Sequence, residues 1–121
     1  MKNTPYTQQY FPHEKLAAYE LTREATRFVA ARRSKLHGLP GNAAGQLARA
    51  VVGAQSNLCS GSAHRGAEAR RHFAIALSEA VEAGGCIDIA LDFGAFSDAE
   101  HAELRRILLR LCACLRGLTK P

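Results

Sequence analysis

The chain has 121 residues, of which 47% are apolar and four are Pro, so it is long enough for one domain with its own core and too apolar to be disordered throughout. Long runs rich in Ala, Leu, Glu and Arg exclude an all-β sandwich and predict an all-α fold. The formal net charge of +5 favours an acidic partner, either nucleic acid or the acidic surface of another subunit.

The charge is distributed unevenly along the chain. Residues 1–60 hold eight Lys or Arg and three acids, whereas the segment between Arg71 and Arg105 holds seven acids and no Lys or Arg. Such polarity would either let neighbouring subunits complement one another or leave a basic surface for nucleic acid. Composition alone favours neither interpretation.

The chain opens with a polar and aromatic segment, residues 1–12, whose Pro5 and Pro12 predict an extended or disordered lead-in. A single domain is expected over residues 13–121. Residues 1–15 lack the apolar core of a signal peptide, and no apolar run is long enough to cross a bilayer. We therefore expect a cytoplasmic protein without a membrane role.

The first predicted helix covers residues 13–36, where apolar residues recur at helical spacing. Arg32, Arg33 and Lys35 crowd its last turns, where cations complement the negative end of the helix dipole. The same three residues are the densest positive charge in the chain, so a phosphate-binding patch is the alternative interpretation.

The second predicted helix covers residues 43–59, after a break at Gly38 and Pro40, with Asn42 as its N-cap. Asn57 lies beside the apolar side of this helix, and a buried amide must satisfy its hydrogen-bonding groups. We therefore predict a structural role for Asn57. Gly61 is assigned to a Gly/Ser connection over residues 60–66.

The third predicted helix, over residues 67–93, carries two rows of residues. The rows are displaced by two residues, which turns an α-helix by about 200°, so they lie on nearly opposite sides. A helix buried on two sides needs two partners, which predicts that the second row contacts another subunit. The first row is Phe73, Leu77, Ala80, Gly84, Ile87 and Leu91, and the second row is Ile75, Glu79, Glu82, Cys86, Ile89 and Phe93.

The fourth predicted helix begins at a capping box, in which Ser97 and Glu100 each satisfy a free backbone N–H. Both residues are assigned a structural role. A regular leucine seam follows, and arginines lie beside it at positions 105, 106, 110 and 116.

The sequence predicts no catalytic site, no metal site and no cofactor. The Glu79/Glu82 pair lacks the ExxH motifs of di-iron bundles. His64 and His72 would share a face only if the third helix began early, and no nucleophile can be tied to them. The four cysteines lack zinc-type spacing and are expected to be free thiols between helices, at Cys59, Cys86, Cys112 and Cys114.

Two stretches of the second helix and one of the third carry a family resemblance. Residues 46–50 (Gln-Leu-Ala-Arg-Ala) and 56–61 (Ser-Asn-Leu-Cys-Ser-Gly) follow the form QLxRAxxSxPxNIAEG. Residues 90–94 (Ala-Leu-Asp-Phe-Gly) follow a second pattern, alanine-leucine-x-leucine-glycine, at the end of the third helix. On these residues the chain resembles a four-helix-bundle protein family encoded in intervening sequences of bacterial 23S ribosomal RNA genes. It departs from the family pattern at Gly53, Gln55 and Ser60.

This resemblance implies an antiparallel up-down-up-down four-helix bundle that assembles as a cyclic homo-oligomer of five subunits and has no enzymatic activity. Related accessory proteins of diversity-generating retroelements bind a reverse transcriptase and nucleic acid. A ring closes through two different complementary patches per subunit. The expected partners are therefore further copies of the chain and RNA or DNA.

The expected function is that of a non-catalytic, pentameric module that binds nucleic acid through basic surfaces. The alternative is a protein–protein interaction scaffold without a nucleic-acid role, whose excess charge confers solubility and completes the ring. The residues expected to bind nucleic acid are Arg32, Arg33, Lys35, Arg49, Arg65, Arg105 and Arg106.

Overall fold

The computed structural model describes residues 9–121, and its regular structure over that range is entirely helical, which confirms the all-α prediction. A 3₁₀-helix at Pro12–Lys15 precedes five α-helices. Most of the predicted lead-in, residues 1–8, lies outside the described residues. The helices are α1 (Ala17–Ala31), α2 (Arg33–Leu36), α3 (Ala43–Ser62), α4 (Gly66–Asp92) and α5 (Asp98–Leu118).

The first predicted helix is not continuous. Leu16 has extended backbone dihedrals (φ −90°, ψ 130°), which separate the 3₁₀-helix from α1. Arg32 (φ −117°, ψ 17°) interrupts the helix again before the single turn of α2, which ends at the buried Leu36. The prediction of one helix over residues 13–36 is therefore wrong at its start and at Arg32, where local dihedrals override the apolar pattern.

The connection between α3 and α4 is shorter than predicted, because α3 continues to Ser62. Gly61 lies buried inside that last turn, and a Cβ atom there would lie 2.5 Å from Cε1 of Phe73 on α4. The absence of a side chain at Gly61 thus lets the Phe73 ring approach α3 closely. Assigning Gly61 to a loop is wrong; its structural role comes from helix packing.

Side chains from α1, α3, α4 and α5 form one core. The α4 helix packs between α3 and α5, and α1 contacts both α3 and α5. Burying a Leu or Ile side chain stabilises a fold by about 1.5–3 kcal/mol. The largest fully buried side chains are Leu36, Leu47, Leu58, Ile87, Leu104, Leu111, Leu115 and Thr22.

The central seam of α4 consists of alanines seven residues apart, which the two-row interpretation did not identify. These alanines are all buried and lie between the two predicted rows, where small side chains allow neighbouring helices to approach closely. The second row therefore flanks the core instead of lying opposite to it. The seam is Ala69, Ala76, Ala83 and Ala90.

Candidate nucleic-acid interface

The basic residues at the end of α1 and in α2 face the start of α5. Glu100, in the first turn of α5, accepts hydrogen bonds from Arg32 Nε at 2.8 Å and from Lys35 Nζ at 2.6 and 2.7 Å. It also forms the expected capping box, because its Oε1 accepts from the Ser97 N–H at 2.9 Å and Ser97 Oγ accepts from the Glu100 N–H at 3.1 Å. We call Arg32, Lys35 and Glu100 the Glu100 cluster.

Both cations of the Glu100 cluster form their ion pair within the chain, with the same carboxylate. Hydrogen bonds from Lys35, from the Ser97 N–H and from Arg32 lower the pKa of Glu100 from its ordinary 4.5 to about 2. The Arg32 guanidinium also lies 3.6 Å from the ring centroid of Phe28 and donates to the Phe28 carbonyl at 3.2 Å. Two of the cations expected to bind nucleic acid thus join the end of α1 and α2 to α5.

Three other predicted contacts lie on different elements. Arg33, on α2, is exposed and borders a concavity of about 310 Å³ together with His37. Arg49 is exposed on α3, and Arg65 is the exposed residue that precedes α4. Each of these cations faces water, and the three lie on different elements, although Arg33 shares α2 with Lys35 of the Glu100 cluster.

The outer side of α5 carries the remaining two predicted contacts and two further arginines. All four are exposed, and none forms an ion pair with a described residue. At 100° per residue they lie within an arc of about 140°, and they extend over about 16 Å of the helix axis. We call this surface the α5 arginine face; it consists of Arg105, Arg106, Arg110 and Arg116.

The segment of the chain that carries this face has only basic charges. Residues 105–121 contain the four arginines and Lys120 but no acid. The nearest acid on the same helix is the exposed Glu103, at one edge of the arc. Glu20 and Glu24 of α1 line a shallow concavity with Arg110, without forming an ion pair to it. The predicted site omitted Arg110 and Arg116, although their spacing from Arg106 and Arg105 is a signal available in the sequence.

The second row of α4, which we call the α4 outer row, is exposed at most of its positions. Ile75 and Ile89 are each 36% exposed and Phe93 is 65% exposed, while Glu82 faces solvent. Cys86 is different, because it is buried in the chain's own core and leaves little surface for a neighbouring subunit. An apolar surface interrupted by a carboxylate is therefore open along this side of α4.

Glu79, the remaining member of the α4 outer row, packs its side chain against α3 at Gly53. A Cβ atom at Gly53 would be 2.6 Å from Glu79 Oε2, so the glycine leaves room for this carboxylate. Burial raises the pKa of Glu79, the neighbouring Glu82 carboxylate adds to the rise, and the charge of Arg49 opposes it. This acidic pair with one nearby arginine gives α4 a negative surface beside its exposed apolar residues.

A second exposed apolar surface, apart from the α4 outer row, lies between α4 and α5. Val81 and Leu109 are each 54% exposed and line a groove of about 180 Å³. Arg105 and Arg116 border the same groove. The α5 arginine face therefore continues into an apolar surface, a combination that suits a protein partner as well as a phosphate backbone.

The cysteines are free thiols, as the sequence predicts. Burial raises the pKa of the thiols of Cys59, Cys86 and Cys112, which keeps them protonated and poorly nucleophilic. None of these three thiols has the depressed pKa of a reactive cysteine.

A comparison with models of known protein families and with curated proteins finds no match to this chain. Among the described residues, no helix is both long and apolar enough to span a bilayer.

Proposed function

We propose that this chain is a non-catalytic, antiparallel up-down-up-down four-helix bundle that forms a homo-oligomer and binds the phosphate backbone of RNA or DNA. The α5 arginine face is the observation that carries the proposal. Its four guanidinium groups are exposed and have no ion-pair partner among residues 9–121.

The geometry of the α5 arginine face suits a phosphate backbone. Guanidinium groups bind phosphate oxygens through paired N–H donors, and counterion release adds to the affinity. A row of cations about 16 Å long is long enough to contact several successive phosphates of one strand. Such contacts carry no base information, so we expect weak sequence preference.

Assembly into a ring is supported by two different surfaces on one chain. The α4 outer row offers exposed apolar residues with Glu82, whereas the groove between α4 and α5 offers Val81 and Leu109 bordered by arginines. Apolar surfaces of complementary charge favour head-to-tail contacts, which form a ring when the rotation between neighbours closes. Arg106 and Arg110 lie outside the groove and stay available for phosphate in such a ring. The resemblance to the intervening-sequence family favours five subunits.

Light scattering of the eluting protein, with absorbance recorded at nucleic-acid wavelengths, tests assembly and bound nucleic acid together. We expect a particle of five subunits that binds a labelled RNA or DNA oligomer, with affinity falling steeply as salt rises. A single subunit at high concentration would contradict the assembly. Binding that is insensitive to salt would contradict recognition of the phosphate backbone.

The second candidate is a protein–protein interaction scaffold. The exposed Val81 and Leu109 favour it, because paired apolar side chains beside a groove suit a protein partner. A purified oligomer that contains no nucleic acid and does not bind added RNA or DNA would favour the scaffold over the first proposal.

A further inference from the structure

Two histidines and one glutamate come together where α3 meets α4. His64 lies in the connection, and Glu68 and His72 lie in the first two turns of α4. One ligand atom from each residue lies within 4.8 Å of the other two. Nε2 of His72 is 3.7 Å from Glu68 Oε2, and the two imidazole rings stack with centroids 5.2 Å apart.

The break between the helices creates this cluster. Along one continuous helix, residues eight apart would be separated by about 12 Å. Here α3 ends at Ser62, and Gly66, with φ +59°, starts α4 in a new direction. His64 therefore folds back over the first turns of α4, next to His72. Contact between the histidines thus arises from a chain reversal, whereas the sequence interpretation required an early start of the helix.

One nitrogen of each imidazole is available to a ligand. Nδ1 of His64 lies 2.7 Å from the carbonyl oxygen of Ser60; when Nδ1–H donates there, the lone pair on Nε2 is left for another ligand. The His72 side chain is mostly buried, and its Nδ1 is buried without a hydrogen-bond partner. Its Nε2 is therefore the nitrogen that can reach an ion beside Glu68.

From this geometry we propose that His64, Glu68 and His72 bind one divalent transition-metal ion per chain, with zinc as the best fit. Two imidazole nitrogens and one carboxylate oxygen form a donor set that zinc prefers, and water would supply the remaining position. Ligand atoms around a tetrahedral zinc ion are about 3.4 Å apart, so small side-chain rotations from the present distances suffice. This proposal differs from the sequence-based expectation of no metal site and is independent of the proposed nucleic-acid function.

One neighbouring cation competes for Glu68. Arg71 Nη2 lies 3.4 Å from Glu68 Oε2, but this contact is long and both side chains are more than half exposed. Exposed pairs of this kind contribute little to stability. Releasing Arg71 into water therefore opposes metal binding only weakly.

Calorimetric titration of the metal-stripped full chain with zinc, together with elemental analysis, tests the proposal. We expect one zinc per chain and an affinity at least tenfold lower in both His64→Ala and Glu68→Gln. Both substituted side chains are exposed, so the helical circular dichroism should persist. The matched control is His37→Gln, which changes an exposed histidine outside the cluster and should leave the affinity unchanged.

Cobalt(II) provides a spectroscopic test of the ligands. Binding through nitrogen and oxygen should give visible absorption without a thiolate charge-transfer band, and this signal should be lost in His64→Ala. If that variant loses helical signal, His64→Gln serves instead, because it keeps polarity at similar size. The proposal is overturned by the absence of stoichiometric zinc, by equal affinity in all variants, or by a cobalt spectrum that shows cysteine ligation.

Discussion

Two groups of cations in this protein have the same chemistry and different surroundings. In the Glu100 cluster, Arg32 and Lys35 converge on one carboxylate within hydrogen-bond distance. On the α5 arginine face, four guanidinium groups point outward without an ion-pair partner among the described residues. Local density of positive charge therefore does not show which cations are free to bind phosphate. Cations without an ion-pair partner in the chain are the better candidates for phosphate binding, since a cation held by a carboxylate must lose that pair before it binds phosphate.

Removing charge from α5 should weaken nucleic-acid binding more than any other change. Replacing Arg105, Arg106 and Arg110 by Gln should weaken binding to a labelled oligonucleotide at low salt by about 100-fold, because each lost phosphate contact reduces counterion release. Fluorescence anisotropy measures this change. The unfolding transition should stay close to that of the natural chain, since the substituted side chains are exposed.

A second triple variant shows whether the position of the lost charge matters, because it changes the net charge by the same amount. Replacing Arg27, Arg33 and Arg71 by Gln removes the same charge from exposed positions outside α5. This variant should retain most of the affinity. Equal losses in the two triple variants would mean that overall charge, and not the α5 arginine face, drives binding.

The next effect concerns stability. Glu100→Gln keeps a side chain suited to the capping box but removes the charge that holds Arg32 and Lys35. We expect a lower free energy of unfolding in urea at neutral pH. Glu103→Gln is the control, because Glu103 is an exposed carboxylate on the same helix that forms no ion pair with a described residue. Equal stability of the Glu100 and Glu103 variants would contradict a structural role for the Glu100 cluster.

Acid should remove the stability that the ion pairs of Glu100 contribute. The folded protein holds the pKa of Glu100 at about 2, below its ordinary 4.5, so the unfolded chain binds this proton more readily than the folded one. The stabilisation is complete above about pH 5 and is lost as the pH falls through 4.5 toward about 2. Urea unfolding of the natural chain and of Glu100→Gln should therefore converge over that range. A constant difference between them would show that charge on Glu100 is not responsible.

The smallest effect on nucleic-acid binding is expected in the Glu100 cluster itself. Lys35→Gln removes a cation that is already paired with Glu100 at 2.6 Å. Affinity for the oligonucleotide should stay within about twofold of the natural value, since a single exposed charge at a distance is strongly screened. A loss as large as that of the α5 variant would place the phosphate contact in the wrong region of the molecule.

Local patterns in the sequence predict much of the fold. The capping box at Ser97 and Glu100, the leucine seam of α5 and the apolar side of α3 each depend on residues within a few positions of one another. The backbone break at Arg32 and the short α3–α4 connection do not follow from such patterns, because dihedrals at single residues decide them. The alanine seam of α4 is a weak signal in the sequence, because the rows with larger side chains dominate the apolar pattern.

The Glu100 cluster and the group of His64, Glu68 and His72 do not follow from the sequence, for a different reason. Arg32 and Lys35 lie 68 and 65 residues from Glu100, and their pairing follows from how α1, α2 and α5 pack. His64 meets Glu68 and His72 only because the chain reverses between helices. Sequence spacing is informative within one helix, but contacts between helices require the arrangement of the whole core.

The salt dependence of binding shows whether the α5 arginine face contacts phosphate groups. For the natural chain and for the α5 triple variant, the logarithm of the association constant should be measured against the logarithm of the salt concentration. We predict that the slope becomes shallower by roughly 2 to 3 in the variant, corresponding to three lost phosphate contacts at about 0.7–0.9 each. Identical slopes for the two proteins would contradict phosphate binding by α5.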